Sequence, residues 1–106
     1  MNKMIITGNL TRDPELRTTP GGIPVCTFTV AVDRRRHAEG QPDADFFRVT
    51  VWRELAESCA RYLSKGRKVA VDGEARLNQY EKDGQRYASL EISADSVEFL
   101  SPSNRD

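Results

Sequence analysis

Only one segment of this chain, Glu54 to Lys65, spaces its apolar residues as a helix does; the long segments around it alternate with a period of two. Leu55, Cys59, Tyr62 and Leu63 make one stripe, about two turns of apolar face. Glu54 and Glu57 suit the positive end of the helix dipole, Lys65 suits the negative end, and Gly66 is placed to cap it. No Ser, Thr, Asp or Asn stands directly before Glu54, so the end is better marked than the start. A helix this short can plug one end of a sheet but cannot build a bundle.

Strands are expected over Lys3–Leu10, Ile23–Asp33, Asp45–Arg53, Arg67–Tyr80 and Arg86–Ile92, with Val97–Leu100 closing the run. In the second, Cys26, Phe28, Val30 and Val32 oppose Thr27, Thr29, Ala31 and Asp33. In the fourth, Val69, Val71, Gly73, Ala75 and Leu77 form the apolar row, against Lys68, Asp72, Glu74, Arg76, Asn78 and Tyr80. Asp13-Pro14 and Thr18–Gly22 read as loop, Arg34–Ala44 as a loop or protruding hairpin, and Asp83-Gly84 as a hairpin turn. A small antiparallel sheet hides its edges by closing on itself. The expected fold is therefore all-β with one short helix: a five-stranded OB-fold Greek-key barrel, its helix between strands 3 and 4. Gly73, in mid-strand, fits the tight bend that such a barrel needs.

One domain is expected over residues 1–100, followed by a short polar tail, 101–106. No apolar run approaches the roughly 20 residues of a spanning helix, and Met1–Asn9 lacks signal-peptide character, so a cytoplasmic protein without membrane attachment is expected. Cys26 and Cys59 have neither metal-ligand nor redox spacing and read as buried free thiols; with His37 the single histidine, no metal site and no cofactor are expected. The formal net charge is zero. Binding to a polyanion would then need a local basic patch.

Such a patch is visible in Asp45–Arg53. Opposite the Phe47, Val49 and Val51 row lie Phe46, Arg48, Thr50 and Trp52, where a solvated strand face usually carries Thr, Lys, Glu or Ser. Aromatics two residues apart on a strand stand about 7 Å apart per step and can carry unstacked bases. Arg48 between them can meet phosphate or stack by its guanidinium plane. Tyr80 falls on the polar face beside the Asp83-Gly84 turn, with Arg76 on the same side, and Arg34, Arg35 and Arg36 occupy the other long loop. Structural roles also exist: Trp52 under the helix start, Phe46 at the barrel rim or in a subunit interface, Tyr80 as a turn aromatic, the arginines as solvated surface.

These residues resemble a known family. Asn2–Leu10 with Asp13-Pro14-Glu15-Leu16-Arg17, Phe46–Trp52 with Leu55-Ala56-Glu57, and Tyr62–Gly66 followed by Val69–Gly73 are similar, in order, to bacterial single-stranded DNA-binding proteins. The resemblance runs from Asn2 to about Leu100. It implies an OB-fold homotetramer that coats single-stranded DNA without sequence preference in replication, recombination and repair, in the cytoplasm of a bacterium or encoded by a phage or plasmid. The family's stacking aromatics fall on Phe46, Trp52 and Tyr80, and its basic contacts on Arg17, Arg48, Lys65 and Arg76.

Two departures accompany it. Arg34–His37 stand where the family often has another stacking tryptophan. Ser101–Asp106 carry no acidic Pro-Phe tip, so recruitment of replication proteins through such a tail is not expected; a truncated core and a short variant both fit. The rival reading is an OB-fold primosome or assembly component that uses Phe46 and Trp52 for protein contact. Catalysis is not expected, because no nucleophile–base pair is visible and Gly21-Gly22 lacks the Lys-Ser/Thr of a phosphate loop.

Overall fold

A computed structural model describes residues 1–35, 39–40 and 43–100. The elements run β1 (Met4–Leu10), β2 (Glu15–Thr18), β3 (Pro24–Asp33), β4 (Ala44–Trp52), α1 (Arg53–Tyr62), β5 (Lys68–Lys82) and β6 (Gln85–Phe99). The sheet order is β1-β5-β6-β4-β3-β2, and β1 also pairs with β3, which closes a barrel of five strands. β2 hangs outside the ring on the free half of the β3 edge, Glu15 opposite Thr27 and Thr18 opposite Pro24. The helix enters between the third and fourth strands of the ring, as expected.

Inward rows supply the core. Cys26, Phe28 and Val30 of β3, Val49 and Val51 of β4, Val69 and Val71 of β5 and Ile92 of β6 pack with Ile6 and Leu10 of β1. Ala56, Cys59 and Leu63 close one end of it. Both cysteines are free and fully buried, and burial pushes the Cys26 thiol up to about 11 and the Cys59 thiol to about 12. Neither is a thiolate nucleophile at neutral pH.

Two glycines let the ring close. A Cβ on Gly8 would overlap the Ala31 carbonyl oxygen where β1 meets β3, and one on Gly73 would overlap the Ser93 carbonyl oxygen. The β5–β6 register shifts between Asp72 and Gly73, so the expected bend lies at this glycine. Ahead of β1, the Asn2 side-chain amide donates to the Ala75 carbonyl (2.8 Å) and accepts from its amide (3.0 Å), continuing the pairing along β5. Lys3 lies 2.9 Å from Asp72; their hydrogen bond holds the Asp72 carboxyl below its ordinary value and the Lys3 ammonium above its own. The contribution of this exposed pair is lost as pH falls through the lowered Asp72 value or rises through the raised Lys3 value.

Several local expectations need correction. The helix ends at Tyr62, not Lys65: Leu63 is already extended, and the next turn is held by other partners. The Gly66 amide donates to the Leu10 carbonyl (2.9 Å), and the Lys65 amide donates to Asp13 Oδ1 (2.8 Å). Gly66 (φ +90°) therefore serves a turn docked on the end of β1 and is not the helix cap. Tyr62 is exposed, and Ala56 takes its place in the buried stripe. Glu15–Thr18, read as part of a loop region, is a strand, and the two expected closing segments are one strand, β6. Arg53 has φ +63°, a left-handed conformation that costs a non-glycine residue about 1–2 kcal/mol. It turns the chain abruptly from β4 into α1.

The β5–β6 hairpin runs well past the barrel, closing at Asp83-Gly84 with positive φ at both residues. Leu77, expected on the buried row, lies beyond the core opposite Leu90, and both are exposed. The β3–β4 pairing extends to Asp33 and Ala44, so the long Arg34-containing connection is a hairpin; Arg36 and His37 lie outside the described residues. Among the described residues no helix is long and apolar enough to cross a membrane.

Candidate nucleic-acid interface

Strand parity and register together build one continuous outer face. One row runs Thr29–Arg48–Glu91–Arg76 across β3, β4, β6 and β5. The next runs Glu15–Thr27–Thr50–Ser93–Glu74, and a third joins Arg17, Val25 and Trp52. Neighbouring strands stand about 4.8 Å apart, which puts Arg48 and Arg76 roughly 10 Å from each other with Glu91 between.

Two adjoining grooves open on this face. A groove of about 320 Å³ includes Thr50, Trp52, Arg76 and Glu91 in its lining. Its neighbour, about 480 Å³, is lined on one side by Arg17, Thr18 and Pro20 and on the other by Arg48, Trp52 and Glu91. Trp52, Thr50 and Glu91 belong to both and so form the ridge between them. A third groove, lined by Arg12, Asp13, Glu15 and Arg48, continues the surface past β2.

The aromatics are open to solvent: Phe46 at 64%, Trp52 at 44% and Tyr80 at 49% relative exposure. Trp52 is the last residue of β4 and the N-cap of α1, yet its side chain contributes no capping hydrogen bond. Exposure of this degree does not fit a ring packed beneath the helix. Phe46 continues the Trp52–Thr50–Arg48 row toward the far end of β4, opposite Ala31. Tyr80 sits out on the hairpin, its ring stacked on that of Tyr87 at 5.5 Å between centroids and 21° between planes.

Tyr87 was not among the residues expected here. Its signal was legible, because a two-residue Asp83-Gly84 turn pairs Lys82 with Gln85 and hence Tyr80 with Tyr87. The pair makes a doubled aromatic platform in line with Arg76. Glu91 was missed as well, since only the parallel pairing of β4 with β6 brings it beside Arg48.

The cations differ in what already holds them. Arg48 and Arg17 make no ion pair among the described residues. Arg76 Nη2 lies 3.6 Å from Glu74, an exposed contact of little strength. Arg34 gives two hydrogen bonds to Asp45 Oδ1, at 3.1 and 2.8 Å, so its charge is engaged within the β3–β4 hairpin. Arg35 is exposed on that hairpin, away from the three grooves. Lys65 does not line them either; its backbone is tied to Asp13, a residue of the third groove, which puts it at the rim. The structure thus brings together Arg17, Arg48, Trp52 and Arg76, extends the row with Phe46 and the Tyr80 hairpin, and leaves Arg34, Arg35 and Lys65 peripheral.

The face offers flat rings, guanidinium groups that are weakly paired or, among the described residues, without an ion pair, and a hydroxyl-rich floor of Thr27, Thr50 and Ser93. A flexible polyanion with π-faces is what such a surface can hold. Residues 1–100 match the model of the Single-strand binding protein family. The chain is 49% identical over 106 residues to the "Single-stranded DNA-binding protein 2" of Staphylococcus aureus, covering 98% of this chain and 75% of that protein. It is 47% identical to a "Single-stranded DNA-binding protein 1" of the same species, across its whole length and 69% of the relative. Against the "Single-stranded DNA-binding protein" of Bacillus cereus it is 46% identical, covering 98% of this chain and 62% of the relative. With the closed barrel, the one helix among the described residues and the match across residues 1–100, this chain belongs to the single-strand binding protein family.

Proposed function

We propose that the chain binds single-stranded DNA with no defined recognition sequence on the Phe46–Arg48–Thr50–Trp52 face, protects it during replication, recombination and repair, and catalyses nothing. The observation that carries this reading is the pair of grooves sharing Trp52, flanked by Arg17 and Arg48 on one side and Arg76 on the other. Bases stack on Trp52, Phe46 and the Tyr80–Tyr87 pair, while the arginines meet phosphates. Arg34, Arg35 and Lys65 add contacts at the periphery, Arg34 by exchanging Asp45 for phosphate. The binding domain is residues 1–100, and the chain works in the cytoplasm on nucleoid DNA.

Titrating oligo-dT while following Trp52 fluorescence tests this. Strong quenching is expected, with affinity micromolar or tighter; no response at high concentration would sink the reading and favour a protein-binding assembly role. With zero net charge, the three arginines of the two Trp52 grooves predict a shallow log–log salt dependence, a slope of about −2 per chain at −0.7 per phosphate contact, reaching about −4 where Arg34, Arg35 and Lys65 also engage. A far steeper slope would mean that electrostatics and not stacking dominates.

The chain assembles as a homotetramer. Ile5 on the outer side of β1 and the Leu77–Leu90 pair on the hairpin are exposed apolar surface, and association would cover it. Sedimentation at micromolar protein is expected to give four times the 11.9 kDa chain mass; a monomer would contradict this.

A further inference from the structure

Glu91 is out of place on a surface built for a polyanion. It lies in register between Arg48 and Arg76 and lines both Trp52 grooves. One oxygen, Oε2, accepts a hydrogen bond from Asn78 Nδ2 at 3.4 Å; the other has no hydrogen-bond partner among the described residues. Neither neighbouring arginine closes on it, since Arg76 is turned toward Glu74 and Arg48 makes no ion pair among the described residues. The carboxylate therefore stands in the site, lightly anchored, with accepting capacity left over.

We infer that Glu91 reads base edges, accepting hydrogen bonds from the exocyclic amino groups of bases stacked at Trp52. An ionised carboxylate only accepts, and so does a phosphodiester, so the backbone cannot lie over Glu91. Phosphates are driven outward to Arg17 and Arg48 on one side and Arg76 on the other. A base on the Trp52 ridge then turns its edge toward Glu91. Cytosine presents its N4 amino group there, and a carboxylate is a suitable acceptor for it. Thymine presents carbonyl oxygens on either side of its one N–H and meets repulsion. The consequence is a modest base preference imposed on a mode of binding that is otherwise indifferent to sequence.

This inference rests on the Trp52 face being the binding face, and the test separates the two. Dissociation constants are measured for short dC and dT oligonucleotides of equal length with the wild type, Glu91→Gln, Asn78→Ala and Trp52→Ala. Comparing each variant's dC/dT affinity ratio with that of the wild type cancels the intrinsic stacking difference between the two oligomers. Glu91→Gln, whose amide both donates and accepts, is expected to bind dT more tightly and to lower the dC preference about fivefold, the low end for one base-edge contact. Asn78→Ala, which loosens the carboxylate without removing it, moves the ratio the same way by less. If Glu91→Gln strengthens dC and dT equally and only steepens the salt dependence, Glu91 is a charge brake and base reading is wrong. If Trp52→Ala leaves affinity intact, the face itself is misplaced and the inference falls with it. Weakened binding by Trp52→Ala beside an unchanged ratio in Glu91→Gln overturns the base reading alone.

Discussion

Trp52→Ala is expected to weaken binding of a labelled dT oligonucleotide by about 5- to 150-fold, the equivalent of 1–3 kcal/mol for one stacked base. The magnitude follows from position: Trp52 is the aromatic among the three residues shared by both central grooves, so its ring is the surface against which a base from either side lies. Trp52 has 44% relative exposure, and the buried Val49 and Val51 point the other way, so the substitution takes little from the core. The thermal midpoint should therefore stay close to that of the wild type, and Trp52→Phe should recover most of the affinity. Trp52 is the single tryptophan, which makes anisotropy of a labelled oligonucleotide the appropriate readout. A loss of affinity accompanied by a large fall in midpoint would point instead to a structural role at the start of α1.

Gly73→Ala has the largest expected effect on folding. The added methyl would overlap the Ser93 carbonyl oxygen and approach Ala94 Cα to 2.8 Å and Ser93 C to 2.9 Å. These are backbone atoms of the paired strand and cannot swing aside as a side chain would. Overpacking usually costs 1–3 kcal/mol, and here the upper end applies, about 3 kcal/mol. For a domain of this size that lowers the midpoint by roughly 12–24 °C. Gly66→Ala is the contrast: nothing stands within 4 Å of the new methyl, so only the left-handed backbone is penalised, about 1 kcal/mol. Urea or thermal unfolding of the two variants side by side measures the difference. Equal midpoints would mean that the β5–β6 bulge relaxes around the methyl, contrary to the rigid closure described above.

Faces within a strand were readable because they depend on adjacent residues alone. Alternation placed Phe46, Arg48, Thr50 and Trp52 together and set Val49 and Val51 against them, as the structure has it. The same logic separated Arg76 and Tyr80 from Val69 and Val71. It failed where a residue's surroundings come from elsewhere in the chain. All four residues of β2 are exposed, so Glu15–Thr18 show no burial pattern, and the strand exists only through hydrogen bonds to β3. Leu77 has the right parity for the core but lies past its end, a boundary that parity does not contain. Ser64–Gly66 look like a continuing helix and its cap until Leu10 and Asp13 draw them into a turn.

By itself the sequence determined that strands surround one short helix, that one strand carries aromatics and an arginine on its outer side, and that a tight hairpin presents Tyr80. Period, turn chemistry and hydrophobic pattern act over a few residues, and a strand's two faces follow from them directly. Only the tertiary structure decided that Arg17, Arg48 and Arg76 border grooves that meet at Trp52, that Tyr87 backs Tyr80, and that Glu91 stands between two arginines. The arginines and Glu91 come from strands far apart in the chain, whereas Tyr87 faces Tyr80 across a short turn and only the stacking of the two rings needed the folded hairpin. Their alignment is set by ring closure, which needs β1 to approach β3 at Gly8 and β5 to slip one residue against β6 at Gly73. Register across a closed barrel is a property of the whole ring, so no single strand's pattern carries it.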